Sequence, residues 1–116
     1  MTTVLVVEDE FLVMMSITAD LIAEGYDVLT ASNADQAIKI LESRNDIETI
    51  FTDIEMPGSM DGLKLAQAVR YRWPPVNIVI TSGKTRPRDD EMPENSGFVA
   101  KPYEAKDVLN ALSAFL

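Results

Sequence analysis

The sequence predicts an α/β domain built on a five-stranded parallel sheet with helices packed on both faces. Three observations carry this prediction. Short, continuous apolar runs recur along the chain, as in strands buried on both sides. Segments with apolar residues at spacings of three and four lie between them, the pattern of helices with one buried face. Parallel strands require such crossovers, because a tight turn joins only antiparallel neighbours.

Val4 to Val7 forms the first strand, which runs into Glu8-Asp9-Glu10. The first helix carries Phe11, Met14, Met15, Thr18, Leu21 and Ile22 on its expected core face, and Gly25 is its stop signal. Tyr26 to Ala31 is the second strand. Ser32 with Asp35 resembles a capping box for a helix that buries Ala34, Ala37, Ile38, Ile40 and Leu41 and ends at Asn45-Asp46. Ile47 to Thr52 is the third strand. It delivers Asp53 to its carboxyl tip, and Pro57-Gly58 breaks the backbone shortly afterwards. A loop through Gly62 leads to a helix burying Leu63, Leu65, Ala66, Val69 and Trp73, and Pro74-Pro75 stops it. Val76 to Ile80 is the fourth strand, ending at Thr81-Ser82-Gly83. The segment Lys84 to Ser96 offers Met92 and two prolines as its apolar side chains, so no helical face can bury itself there. This fourth crossover is expected to be short, irregular or mobile. Gly97 to Ala100 is a short fifth strand ending at Lys101-Pro102, and the last helix places Val108, Leu109, Ala111, Leu112, Phe115 and Leu116 inward.

The 116 residues, 47% of them apolar, suffice for one domain with a modest core. No apolar run approaches the roughly 20 residues of a membrane span, and Met1-Thr2-Thr3 leads straight into a strand without the layout of a signal peptide. A cytoplasmic protein without membrane contact is expected. The chain has no cysteine and no histidine, which excludes disulfides, thiol catalysis, a Ser-His-Asp site and a histidine-bound zinc. Nineteen acidic and 10 basic residues give a net charge of -9, which argues against direct nucleic-acid binding and suits a hard cation held by oxygen ligands.

Ligands of open parallel sheets bind beyond the carboxyl ends of the strands. The residues expected there are Glu8, Asp9, Asp53, Thr81 and Lys101. Each alone has an ordinary explanation: a solvated acid, a strand-end cap or a surface lysine. Together they place acids, a hydroxyl and an ammonium at one edge. Three neighbouring carboxylates repel one another, and a divalent cation relieves that conflict. Mg²⁺ is the natural choice, since it takes oxygen ligands and pairs with phosphate. An aspartate can also act as a nucleophile toward phosphorus, with a cation, a hydroxyl and a lysine stabilising the charge of the transferred group.

With these residues in place, the sequence resembles a response-regulator receiver domain of bacterial two-component signalling. The matching motifs are Val6-Val7-Glu8-Asp9-Glu10, Asp53-Ile54-Glu55-Met56-Pro57-Gly58, Asp61-Gly62, Thr81-Ser82-Gly83 and Lys101-Pro102-Tyr103, and the match runs from about Val4 to the last residue. The resemblance implies a flavodoxin-like, doubly wound sheet in the order 2-1-3-4-5. It implies Asp53 as phosphoacceptor, with Mg²⁺ held by Glu8, Asp9, Asp53 and the backbone carbonyl of Glu55. Thr81 and Lys101 would bind phosphoryl oxygens, Thr81 and Phe98 would form the switch, and the Lys101-Pro102 bond would be cis. A histidine kinase or a histidine phosphotransfer protein is the implied donor. The output would be a downstream protein target or a fused domain outside this chain.

The sequence departs from the family in the segment Lys84 to Ser96, where receivers carry their fourth helix, and in Phe98, which lacks the hydroxyl of the tyrosine often found there. Residues 1–116 are expected to form a single receiver domain that catalyses its own phosphorylation and dephosphorylation and is otherwise no enzyme. A phosphatase or phosphomutase would need a second aspartate where Glu55 stands. A flavin binder would need a phosphate-cradling loop where the sequence has Glu8-Asp9-Glu10. The remaining alternative is an atypical receiver that binds proteins without phosphorylation.

Overall fold

Strands and helices alternate through the chain, as a computed structural model shows for residues 2–84 and 86–115. The elements are β1 (Thr3–Val7), α1 (Phe11–Ala23), β2 (Asp27–Ala31), α2 (Ala34–Ser43), β3 (Thr49–Asp53), α3 (Gly62–Arg72), β4 (Asn77–Ser82), a one-turn 3-10 helix (Asp89–Glu91), β5 (Ser96–Ala100) and α4 (Ala105–Ser113). All pairings are parallel, and the sheet order is β2-β1-β3-β4-β5. This is the expected flavodoxin-like order. Leu116, an expected inward position of the last helix, lies outside the described residues, as do Met1 and Thr85.

Alternation along the strands builds two cores. Leu5, Val7, Ile50, Ile78 and Ile80 face α2 and α3, while Val4, Val6, Phe51, Val79 and Val99 face α1 and α4. Full burial of each such side chain contributes about 1.5–3 kcal/mol. β1 pairs with both β2 and β3, so the chain reverses its winding there and a crevice opens at the carboxyl ends of β1 and β3. Glu8, Asp9 and Asp53 sit at those ends.

Two sequence expectations need correction. The core face of α1 is only partly the one expected: Leu21, Met14 and Thr18 turn inward as anticipated, and the other three positions do not. Phe11, Met15 and Ile22 are 59%, 54% and 56% exposed, and the buried residues are Ile17 and Leu21, with Met14 against them. At 100° per residue the true face lies about a quarter turn away. Nearly every position of Phe11–Ala23 is apolar, so spacing alone could not choose a side. The cap of α2 is Asn33, whose Oδ1 accepts from the Gln36 N–H, while the Gln36 Oε1 accepts from the Ser32 N–H. The cap thus sits one position later than Ser32, and Gln36 returns its bond to the residue before the cap, so the box is not reciprocal. The expected core-facing set of α3 holds: Leu65, Ala66 and Val69 are buried, Leu63 and Trp73 are half-buried against the same core, and Gly62 is buried as well.

Among the described residues, the crossover between β4 and β5 forms no α-helix and makes a single 3-10 turn. Its second half is anchored: Met92 and Pro93 are buried, and the Gln67 Nε2 on α3 donates to the Glu91 carbonyl at 3.1 Å. In its first half Lys84, Arg86 and Arg88 are exposed and Pro87 is half-buried. No helix among the described residues is long and apolar enough to cross a membrane.

Candidate functional site

Strand register assembles the site. Val7 lies opposite Thr52 and Asp53 opposite Thr81, so Glu8, Asp53 and Thr81 sit side by side. Ser82 lies opposite Ala100, and the Lys101 N–H donates to the Ser82 carbonyl, which brings Lys101 to the same edge. Glu8 and Asp53 are only 3% and 2% exposed, while Asp9 is at the surface. The Lys101 Nζ donates to the Glu8 Oε1 at 2.8 Å and to the Asp53 Oδ2 at 3.1 Å. The second Glu8 oxygen accepts from the Glu10 N–H at 3.1 Å.

Two polar atoms here are buried without a hydrogen-bond partner: Asp53 Oδ1 and Thr81 Oγ1. Such atoms each cost about 1–3 kcal/mol, and evolution keeps few of them without a use. Burial pushes the Asp53 carboxyl up to about 6; the Glu8 charge adds to the rise, and Lys101 opposes it. Burial works against the charge of Lys101, but its bonds to Glu8 and Asp53 outweigh that, so its pKa lies above the ordinary lysine value. Tyr103, which meets Phe51 edge to face with centroids 5.7 Å apart, is pushed up to about 12 by burial and by Glu8.

One carboxylate oxygen from each of Glu8, Asp9 and Asp53 lies within 4.8 Å of the others. Three carboxylates that can each offer a hard oxygen donor fit a small divalent cation. Chemically, the arrangement offers a nucleophilic carboxylate, a fixed ammonium beside it and an uncommitted hydroxyl across the strand.

A family model described as "Response regulator receiver domain" matches residues 4–113. The chain belongs to the response regulator receiver domain family. It is thus a receiver domain of two-component signalling. It is 37% identical over 81 residues to the putative response regulator NtrX-like of Rickettsia felis, a match covering 69% of this chain and 17% of that protein. It is 30% identical over 122 residues to the sensor kinase CckA of Brucella abortus, covering 98% of this chain and 12% of that protein. The receiver thus spans a small part of the length of these curated relatives. The response regulator TrrA of Thermotoga maritima, whose crystal structure was determined in complex with Mg²⁺-BeF, superposes with a TM-score of 0.88 at 28% identity over 100% of both chains.

In this receiver the Lys101-Pro102 peptide is cis. Phe98 lies opposite Ile80, half-buried on the α2–α3 side, with the Arg86 guanidinium 5.7 Å from its ring centroid. Sequence reasoning did not foresee the tie that the Glu55 side chain makes to the end of β4. Its two oxygens stand 2.8 Å from the Ser82 Oγ, and the Gly83 N–H donates to it at 3.1 Å. The Ser82 Oγ also accepts from the Lys84 N–H at 3.0 Å. The available signal was a small hydroxyl residue directly after Thr81, one strand away from an acid two residues past Asp53.

Proposed function

We propose that this receiver accepts a phosphoryl group on Asp53 from the phosphohistidine of a histidine kinase or a histidine phosphotransfer protein. The observation that carries the reading is the asymmetry of the Asp53 carboxylate: Lys101 holds Oδ2, while Oδ1 is buried and uncommitted. The free oxygen attacks phosphorus, an O–P bond forms, the P–N bond breaks, and the departing imidazole takes up a proton. Lys101 keeps Asp53 oriented and pairs with a phosphoryl oxygen. The Thr81 hydroxyl, without a partner beforehand, donates to another.

Glu8, Asp9, Asp53 and the backbone carbonyl of Glu55 would hold Mg²⁺. When bound, the cation neutralises the carboxylates and the charge of the transferred group. Engagement of Thr81 by the phosphoryl group would move the end of β4, and Phe98, two strand positions from Ala100, would report that movement to the crossover. Residues 1–116 are read as one receiver domain, acting in the cytoplasm on a downstream protein or a fused output domain.

Intact-mass spectrometry with Mg²⁺ and acetyl phosphate tests the reading. One phosphoryl adduct that requires Mg²⁺ and is absent from Asp53→Ala is the expected result. No adduct with acetyl phosphate or with phosphorylated kinases would overturn it in favour of a module that works by contact alone.

A further inference from the structure

Gly62 opens α3, and its neighbourhood is main chain of the acceptor. A Cβ at this position would stand 1.8 Å from the Asp53 carbonyl oxygen, 2.7 Å from its carbonyl carbon and 2.8 Å from the Ile54 Cα. None of these atoms belongs to a flexible side chain that could swing away. Gly62 is not among the residues with positive φ, so glycine is required here for space and not for a left-handed backbone.

Both sides of this contact are fixed. On the helix side, the Asp61 Oδ1 caps α3 by accepting from the Lys64 N–H at 2.9 Å, and Leu65, Ala66 and Val69 are fully buried. On the acceptor side, the Gly62 N–H donates to the Ile54 carbonyl at 2.9 Å, and the Ile54 N–H donates to the Thr81 carbonyl at 2.9 Å. The Thr52 Oγ1 donates to the Asp53 carbonyl at 3.0 Å. The peptide that follows Asp53 is therefore held from β4, from Thr52 and from the bare Cα of Gly62.

We propose that Gly62 is a positioning residue for phosphoryl transfer: it is the seat that fixes the Asp53 main chain, and through it the carboxylate, relative to Glu8, Asp9 and Lys101. The inference rests on the acceptor reading given above. A side chain at position 62 must push either α3 off the sheet or the Asp53–Ile54 peptide out of place. The buried face of α3 resists the first, so the displacement falls on the acceptor. Misplacing a reacting group by a fraction of an ångström to an ångström lowers rates by roughly ten- to a hundredfold.

The test compares wild type, Gly62→Ala and Leu65→Ala. Leu65 lies one helical turn further on and is fully buried, so its truncation loosens α3 without touching Asp53. Three quantities are measured: the melting temperature, the Mg²⁺ affinity by calorimetry and the rate of adduct formation with acetyl phosphate, the last two per folded molecule. Gly62→Ala is expected to slow adduct formation about tenfold or more and to weaken Mg²⁺ binding several-fold. Leu65→Ala is expected to lower the melting temperature while keeping rate and affinity within about twofold of wild type. Wild-type rate and affinity in Gly62→Ala would overturn the proposal, and so would equal losses in Leu65→Ala.

If Gly62→Ala does not fold, Thr52→Val decides, because it releases the same carbonyl without adding a clash. A several-fold loss of rate and affinity then supports the seat, and wild-type values overturn it. Wild type that binds Mg²⁺ but forms no adduct would refute the acceptor reading alone, and the Mg²⁺ affinities would then decide the role of Gly62. Wild type that does neither would refute both.

Discussion

The hydroxyl of Ser82 stands 2.8 Å from each carboxylate oxygen of Glu55, a residue 27 positions earlier in the chain. One proton serves two acceptors, and the Gly83 N–H adds a second bond to the same carboxylate. The loop after β3 is thereby tied to the start of the β4–β5 crossover, directly beside the carboxylate cluster. Removing the tie should free the crossover before it affects the sheet. Ser82→Ala and Glu55→Gln are each expected to speed amide exchange at Gly83 and Lys84 by roughly tenfold, equivalent to about 1–1.5 kcal/mol of local stability. The double variant should add little to either single one. Additive effects in a hydrogen-exchange double-mutant cycle would mean that the two residues act separately.

Asp53 should destabilise the metal-free fold at neutral pH. Its folded carboxyl titrates at about 6, against an ordinary value of 3.8. Below about pH 4 both the folded and unfolded carboxyls are protonated, and there is no difference. Between about 4 and 6 the unfolded carboxyl ionises first, so stability falls as pH rises, and the full penalty persists above 6. Asp53→Asn is expected to gain about 1–3 kcal/mol at pH 7 with chelator present, and the gain should vanish near pH 4. Thermal unfolding at both values checks it; a gain independent of pH would point to a cause other than the carboxylate charge.

Mg²⁺ should raise the melting temperature by relieving repulsion among Glu8, Asp9 and Asp53. At a hundredfold excess over Kd the stabilisation is about 2.7 kcal/mol. Asp9→Asn should blunt the shift, since Asp9 is one of the three acids that converge. An unchanged melting temperature at saturating Mg²⁺ would argue against the metal site.

The two faces of α1 should respond differently to truncation. Ile17→Ala removes a buried side chain and is expected to cost about 2–4 kcal/mol. Met15→Ala and Ile22→Ala remove exposed ones and should change stability by less than about 0.5 kcal/mol. Urea denaturation of the three variants distinguishes the observed face from the one that spacing predicted.

That last case shows where the sequence was legible and where it was not. Strand identity came through because Val4–Val7 and Ile78–Ile80 are continuous apolar runs, a pattern that leaves little choice. The convergence of Asp53, Thr81 and Lys101 on one edge came through because a strand end is a definite place, and parallel register brings definite places together. The face of α1 did so only in part, since a helix that is apolar nearly all round is oriented by its neighbours and not by its own pattern. The Glu55–Ser82 tie and the seat at Gly62 did not come through. Both depend on distances between elements far apart in the chain, and neither residue type announces such a role.

The stripe of Phe11, Met15 and Ile22, joined by Leu12 at 81% exposure, lies on a molecule carrying nine net negative charges. Copies that approach through this stripe meet each other's like charge first. The Debye length is about 30 Å at 0.01 M salt and about 3 Å at 1 M, so ionic strength sets whether that repulsion outreaches the stripe. Dilute buffer keeps copies apart, and concentrated salt uncovers the attraction of the apolar surface. Salt-dependent association through this stripe would therefore be a property of α1, an element that contributes no side chain to the carboxylate cluster.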